Sequence, residues 1–154
     1  MLALFLLATL LQGPADVGTL TAASDAVAHA TVLRSESRWA PSGGLIFTTV
    51  TLRALETWKG ALPPEFQVLV QGGSASGYDQ TVQGVARFSA GEEVVLFLHR
   101  RTQGVYSVSK MGLGKFSVTK QRAIRSRKGL DCSGCAPSEQ DDFALDELRA
   151  KVTR

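Results

Sequence analysis

The sequence has few of the residues from which most catalytic and metal sites are built. It contains two cysteines and two histidines in 154 residues. His29 and His99 fall in patterns that predict β-strands, and neither has a serine, cysteine or carboxylate at a spacing typical of a catalytic pair. Because a general base without an oriented partner is weak support for acid/base chemistry, both histidines are predicted to be structural or simply exposed.

Two glycine-containing segments approach catalytic motifs but lack an essential residue. Residues 73–77 (GSASG) match the nucleophile elbow G-x-S-x-G except at the centre, which is Ala75. Residues 112–116 (GLGKF) resemble the end of a phosphate-binding loop, yet Ser109 stands in place of the first glycine and Phe116 replaces the metal-binding hydroxyl. The sequence therefore predicts no catalytic residue, no metal site and no cofactor.

The apolar run at the N-terminus is too short to cross a bilayer. Residues 1–11 (MLALFLLATLL) fall below the roughly 18 residues that a membrane-spanning helix needs. Followed by Gly13 and Ala15, the run is typical of a secretory signal peptide cut after Ala15, although the usual basic residues at its front are missing. We therefore expect a signal peptide at residues 1–15 and a secreted or periplasmic chain without a transmembrane span. The alternative is an uncleaved N-terminal helix or membrane anchor.

Acidic residues are absent from residues 94–130, whereas lysine and arginine are frequent there. If the acids that follow fold elsewhere, this segment forms a positive patch. A polyanion, such as an acidic glycan or anionic lipid, would then bind the basic segment 120–128, and the predicted contact residues are Arg122, Arg125, Arg127 and Lys128. The alternative is a solvated linker that keeps the protein soluble. Nucleic acid is not expected, because the aromatic residues occupy core-like strand positions and form no exposed stacking row.

Cys132 and Cys135 are separated by two residues in a predicted turn. In an exported chain this pair is expected to form a local disulfide, Cys132–Cys135, that encloses a small loop. A redox pair of the thioredoxin type would instead open a helix directly after a strand, and a zinc site would need about two further ligands. Metal or thiol chemistry at these cysteines remains an alternative.

The rest of the chain predicts a small all-β domain spanning residues 16–154. Alternating or continuous apolar residues between turn signals predict strands at residues 26–35, 45–57, 66–70, 85–88, 94–98, 105–108 and 115–119. Residues 94–98 are uniformly apolar and predict a buried central strand hairpinned to the next one. Residues 71–84 are polar and rich in glycine and serine, which predicts a long surface loop, and Gly112 and Gly114 predict a sharp bend.

Two helices complete the prediction. Residues 19–24 predict a short helical turn capped by Thr19, and residues 139–153 predict a C-terminal helix capped by Ser138, with acids in its first turn and basic residues in its last. The partly apolar face of the second helix is expected to pack on the strands. Together these elements predict a five-stranded Greek-key OB-type barrel with a short N-terminal helical turn and a C-terminal helix.

Four segments resemble the netrin-like domain, in the order found in tissue inhibitors of metalloproteinases. They are residues 24–32, residues 46–55 leading into Trp58-Lys59-Gly60, residues 91–98, and Gly104-Val105-Tyr106. The chain is even more similar to exported bacterial proteins of this fold. The resemblance covers about residues 24–119 and lies in turns and core positions. It therefore implies a fold rather than an activity.

One departure from the family limits what the resemblance implies about function. Those inhibitors bind the zinc of a protease through an N-terminal cysteine, whereas no cysteine precedes Cys132 here. We therefore expect a non-enzymatic, monomeric binding module with a protein partner, for which a protease is one candidate by another mechanism. The alternatives are the polyanion-binding protein described above and a metal- or thiol-dependent enzyme that uses Cys132 and Cys135.

Overall fold

The computed structural model describes residues 16–126 and 140–154. The predicted signal peptide (residues 1–15), Arg127, Lys128, both cysteines and the predicted helix cap Ser138 lie outside these residues. The strands are β1 (Ala26–Trp39), β2 (Ile46–Lys59), β3 (Glu65–Gln71), β4 (Gly73–Ala75), β5 (Tyr78–Gln80), β6 (Glu93–Thr102), β7 (Val105–Val108), β8 (Lys115–Thr119), β9 (Arg122–Ser126) and β10 (Gln140–Ala144). The helices are α1 (Val17–Ala23), α2 (Leu145–Thr153) and a 3-10 helix (Met111–Gly114). Neither α-helix has the length and apolar character needed to cross a membrane.

Five strands close into a barrel, which confirms the predicted OB-type fold. The order around the barrel is β1-β2-β3-β7-β6, and β6 pairs with β1 to close it. All these pairings are antiparallel except that of β3 with β7, which is parallel. Closure gives each of these five strands a neighbour on both sides, so none of them offers a free edge to another chain.

Alternation along the strands fills the barrel interior. Val50 and Leu52 on β2 point inward, as their spacing predicts, and are 1% and 0% exposed. Ala26 and Ala30 on β1 belong to the same cluster, and their small side chains leave room for the larger residues of the opposite wall. The edge-to-face aromatic pair Phe66 and Tyr106, with ring centroids 5.9 Å apart, packs within this interior.

The strand β6 is buried on both faces. Val94 and Leu96 contribute to the barrel interior, whereas Val95 and Phe97 contribute to a second cluster outside it. The strands β8, β9 and β10 continue the sheet from β6, and α1 and α2 contribute to the second cluster. We call this second region the helix-covered wall; its cluster consists of Val17, Leu20, Val27, Trp58, Val95, Phe97, Phe116, Val118, Ala123, Leu145, Leu148 and Val152.

Both α-helices form, but at boundaries that differ from those predicted. The helix α1 begins at Val17 and is capped by Asp16, whose carboxylate accepts a hydrogen bond from the Thr19 backbone, so Thr19 is not the cap. The prediction of helix from residue 139 is wrong because Gln140–Ala144 forms β10 against β9. The helix α2 therefore starts at Leu145, and its first-turn acids are Asp146 and Glu147.

The alternative that the basic segment 120–128 is a solvated linker is wrong for residues 122–126. Residues 122–126 form β9, which pairs with both β8 and β10. Lys120 and Gln121 connect β8 to β9 with φ angles of 51° and 63°, the left-handed geometry of a type I′ hairpin turn. Because neither residue is the glycine, asparagine or aspartate usual at such turns, the local sequence did not predict this hairpin.

Two connecting segments differ from expectation, and a third agrees with it. The predicted surface loop at residues 71–84 contains the β4–β5 hairpin. Residues 85–88 were expected to be a strand and are not one. The bend predicted at Gly112 and Gly114 is confirmed as the 3-10 helix Met111–Gly114, preceded by Lys110 at a φ of 53°.

Candidate functional site

Two hairpins extend from the same end of the barrel. The β1–β2 turn (residues 40–45) follows Trp39, and the β4–β5 hairpin places Tyr78 against that tryptophan, with ring centroids 5.6 Å apart and planes at 71°. Tyr78 is 64% exposed and Leu45 is 43% exposed, although both are large apolar residues. We call this region, made of residues 39–48 and 71–88, the hairpin end.

Hydrogen bonds hold the β4–β5 hairpin against the barrel. The side chain of Gln80 accepts a bond from the Ile46 backbone N–H at 2.7 Å and donates one to the Gly44 carbonyl at 3.0 Å. The Thr48 hydroxyl donates to the Gly72 carbonyl at 2.7 Å. Because both hairpins are tied to each other, their exposed side chains project from a fixed backbone.

Gly73 allows the hairpin to approach the barrel closely. Its φ is 133°, which a residue with a side chain rarely adopts. A β-carbon at this position would collide with the hydroxyls of Ser37 and Thr48, which are themselves hydrogen-bonded at 2.7 Å. The close contact between the β4–β5 hairpin and the barrel, which we call the seat of the hairpin, therefore requires glycine at residue 73.

A cleft of about 440 Å³ lies between the hairpin and residues 85–88. Polar side chains line one part of it, including Gln71, Asp79 and Arg87, while Val82 and Phe88 supply apolar surface. The guanidinium of Arg87 is exposed and makes no ion pair within the described residues. The cleft thus places the positive charge of Arg87 beside the apolar surface of Val82 and Phe88.

Lys115 fixes the far wall of the cleft. Its ammonium donates a hydrogen bond to the Arg87 carbonyl and lies 5.0 Å from the centroid of the Phe88 ring. The same ammonium pairs with Glu92 at 2.7 Å. Residues 85–88 are therefore held without belonging to a strand, because one lysine joins them to β8.

The carboxylate of Glu92 is stabilised in its charged form. Burial by itself would raise the pKa of Glu92, but hydrogen bonds from Lys115, the Ser89 N–H and the Ser117 hydroxyl, with the charge of Lys115, hold it below the ordinary value. Glu92 therefore anchors the wall of the cleft, while the neighbouring Glu93 pairs with His29.

Two of the predicted polyanion-binding residues lie on β9 and are paired with acids. Arg125 is 2% exposed, contacts Asp141 at 2.7 Å, donates to the Leu113 carbonyl at 2.7 Å and stacks over Phe116. Arg122 pairs with Asp142 at 2.7 Å on the surface. Asp141 and Asp142 therefore fold onto Arg122 and Arg125, contrary to the condition on which the predicted patch depended. Arg127, Lys128, Cys132 and Cys135 lie outside the described residues.

The histidines pair with carboxylates that the sequence spacing did not reveal. His29 is buried and hydrogen-bonds Glu93, which is 64 residues away in sequence. The ring centroids of His29 and Trp58 lie 6.3 Å apart. His99 lies 3.9 Å from Asp25. No cluster of three or more histidines, cysteines, aspartates or glutamates with metal-binding geometry occurs in the part of the chain that the structure describes.

Sequence reasoning missed Trp39, Leu45 and Tyr78 as a surface. One signal was present, since Tyr78 is a lone aromatic residue in a polar, glycine-rich segment where no core requires it. Its contact with Trp39 depends on the fold and could not be read from the spacing. No known family model matches the chain, and no curated protein is found as a relative.

Proposed function

We propose that the protein is a non-enzymatic binding module whose partner is another protein, docked on the hairpin end. The observation that carries the proposal is the exposure of Tyr78, which contacts Trp39, on a backbone fixed by hydrogen bonds. Aromatic residues supply most of the binding energy in many protein interfaces. Tyr78 is not part of the core and lies on a backbone that is fixed by hydrogen bonds, so its position supports a protein interface at this end of the barrel.

Rigidity and polarity at this end also support the proposal. Because the two hairpins are tied together through Gln80, a partner would not have to order them on binding, which lowers the entropic cost of association. The cleft beside Tyr78 offers Arg87 as a polar contact at the rim of the apolar surface. An aromatic centre with a charged rim is the common anatomy of protein interfaces.

The proposal includes export and a netrin-like ancestry for the barrel. The N-terminal apolar run and the segments quoted above support both, and the partner is then a protein of the periplasm or the exterior. A protease is one candidate partner. Its inhibition would have to use surface contacts, since no cysteine precedes Cys132 to bind a catalytic zinc.

A photo-crosslinking amino acid placed at residue 78 tests the proposal. The matched control carries the same amino acid in place of Leu55, which is 51% exposed but lies towards the other end of β2. In the extracellular or periplasmic fraction of the native host, we expect one dominant protein adduct from residue 78 and none of that mass from residue 55.

Direct binding to the purified adduct partner then measures the contact. The Tyr78→Ser variant should bind at least tenfold more weakly than the native chain, whereas Leu55→Ser should bind unchanged. Identical adducts from both positions, or unchanged affinity of Tyr78→Ser, would refute docking at the hairpin end. Binding of a polyanion through the basic segment stays a separate prediction. Its support is weaker than from the sequence alone, because Arg122 and Arg125 are paired with acids and only Arg127 and Lys128 of the four named residues are left for it.

A further inference from the structure

A groove of about 880 Å³ lies at the end of the barrel opposite the hairpins. It forms where the β2–β3 connection (residues 61–63) meets the β6–β7 turn. The strand β3 separates it from the hairpin end, because β3 begins near the groove and its last residue, Gln71, lines the cleft. Seven residues of strand correspond to roughly 20 Å, so the two sites are distinct.

The floor of the groove is apolar. Leu62 and Pro63 line it together with Tyr106, and Leu62 also packs against the barrel interior. The ring of Tyr106 is fixed by its edge-to-face contact with Phe66. The floor is thus continuous with the core and does not depend on flexible surface side chains.

Tyr106 brings an unused hydroxyl to this floor. The residue is 2% exposed, and no group within residues 16–126 or 140–154 hydrogen-bonds its phenolic oxygen. Because Tyr106 lines the groove, the small accessible part of this residue lies there. A hydroxyl in such a position is ready to bond a ligand, because nothing in the described protein competes for it.

Arg100 is the charged residue of the groove lining. Its backbone N–H donates to the Asp25 carboxylate at 2.8 Å, which fixes where the side chain starts. Its guanidinium is exposed and has no ion-pair partner in the described part of the chain. No acidic residue lines the groove, and Asp25 contacts the Arg100 backbone rather than forming an ion pair with its guanidinium.

We infer that this groove binds a small amphipathic carboxylate. Arg100 would pair with the carboxylate, the Tyr106 hydroxyl would donate a hydrogen bond to it, and Leu62 and Pro63 would contact the apolar body. An apolar surface with a few placed polar groups is the usual make-up of small-molecule sites, and the volume lies within their range of about 300–1,000 Å³. The inference does not rest on the proposed protein-binding function, because it concerns the opposite end of the barrel.

Titration calorimetry of the full chain with decanoate tests the inference. We expect saturable binding with one site, and no binding of decanol, which has the same apolar body without the charge. The Arg100→Gln variant should bind at least tenfold more weakly because a charge-assisted hydrogen bond is lost. Tyr106→Phe, which removes only the hydroxyl, should weaken binding about threefold to tenfold.

The neighbouring Arg101 provides the matched control. It is exposed and carries the same charge, but it does not line the groove. The Arg101→Gln variant should bind decanoate like the native chain. If Arg100→Gln and Arg101→Gln weaken decanoate binding equally, the attraction is unspecific and due to charge alone. If decanol and decanoate bind equally, the binding is unspecific apolar adsorption. Either result overturns the inference.

A second arm separates a free carboxylate from a lipid surface. Vesicles that contain phosphatidylglycerol are added in place of decanoate, and co-sedimentation of the protein is measured. We expect no co-sedimentation that depends on Arg100. Binding to vesicles that is lost in Arg100→Gln, without binding of decanoate, would assign the groove to an anionic membrane surface and overturn the inference.

Discussion

The helix-covered wall and the hairpin end are held in place by different interactions. On the wall, two helices cover the outer face of the sheet, and large side chains such as Phe97 and Leu148 are fully buried. At the hairpin end, side-chain to backbone hydrogen bonds hold the chain, and Tyr78 and Leu45 stay exposed. Burial of a side chain of this size contributes about 1.5–3 kcal/mol to stability. The apolar residues of the wall make this contribution, whereas the exposed apolar residues of the hairpin end do not.

This difference separates structural residues from candidate contact residues. Arginine on the wall is paired and, at residue 125, buried, whereas Arg87 at the hairpin end has no ion-pair partner among the described residues. Residues that are unsatisfied in the free protein are those that a partner can satisfy. The contrast supports the proposed docking at the hairpin end over contacts through Arg122 and Arg125, the two predicted polyanion-binding residues that the structure describes.

The largest effect is expected from the buried ion pair of the wall. Replacing Arg125 by Gln removes the ion pair that its buried guanidinium makes with the Asp141 carboxylate, which is 14% exposed, and should lower the free energy of unfolding by about 3 kcal/mol. The matched variant Arg122→Gln breaks a pair whose side chains are 50% and 47% exposed, and should cost less than about 1 kcal/mol. Urea unfolding measures both values.

Losses of equal size for the two arginine variants would contradict the assignment of Arg125 to the wall. Retention on a heparin column adds an independent reading. If Arg125 is structural, Arg125→Gln should reduce retention no more than Arg122→Gln does while the protein is folded.

The next largest effect should come from the seat of the hairpin. In Gly73→Ala the new methyl group meets Ser37 and Thr48 at a backbone angle that alanine disfavours. The control is Gly77→Ala at the hairpin tip, where φ is also positive at 80°. There the added β-carbon would meet no atom within 4 Å beyond its chain neighbours. We expect thermal or urea unfolding to show Gly73→Ala to be about 2 kcal/mol less stable than Gly77→Ala. Similar stabilities would mean that the hairpin does not rest on the barrel as described.

A smaller, pH-dependent effect is expected at the wall of the cleft. Because the folded-state pKa of Glu92 is lowered, the unfolded chain binds more protons in acid, and the ionised carboxylate adds stability above the unfolded pKa of about 4.3. That stability is lost as the pH falls through the folded pKa. Glu92→Gln should therefore be about 1 kcal/mol less stable than the native chain at pH 7. Stability measured from pH 7 to pH 3 should show the difference shrinking below about pH 4.3, and a constant difference would refute the role of the charge.

Much of the barrel could be predicted because its strands are encoded locally. Alternation places Val50 and Leu52 inside, and the uniform apolar run of β6 indicates burial on two faces. By contrast, Asp141 and Asp142 look like the acids of a helix first turn. Their arginine partners on β9 lie 16 and 20 residues earlier in the sequence, and no local pattern records that pairing.

The candidate site was less predictable than the fold for the same reason. Tyr78 stands out as an aromatic residue in a polar loop, but its contact with Trp39 joins residues far apart in sequence. The charge-rich segment drew attention to Arg122 and Arg125, whose neutralisation by β10 is visible only in the folded chain. Composition located an excess of charge, whereas the fold decides which charges remain free.

The smallest effect on stability, and the sharpest test of the contrast, is expected at Tyr78. Its ring is 64% exposed and contacts Trp39 only edge-on, so Tyr78→Ser should lower the free energy of unfolding by less than about 1 kcal/mol in urea titrations. Leu55→Ser, at a position of similar exposure, provides the reference for replacing an exposed apolar residue by serine. A loss of 2 kcal/mol or more for Tyr78→Ser alone would make the tyrosine part of the scaffold, because its ring would then be holding the two hairpins together. A small loss leaves the exposed ring without a structural purpose, which is the condition that the proposed interface requires.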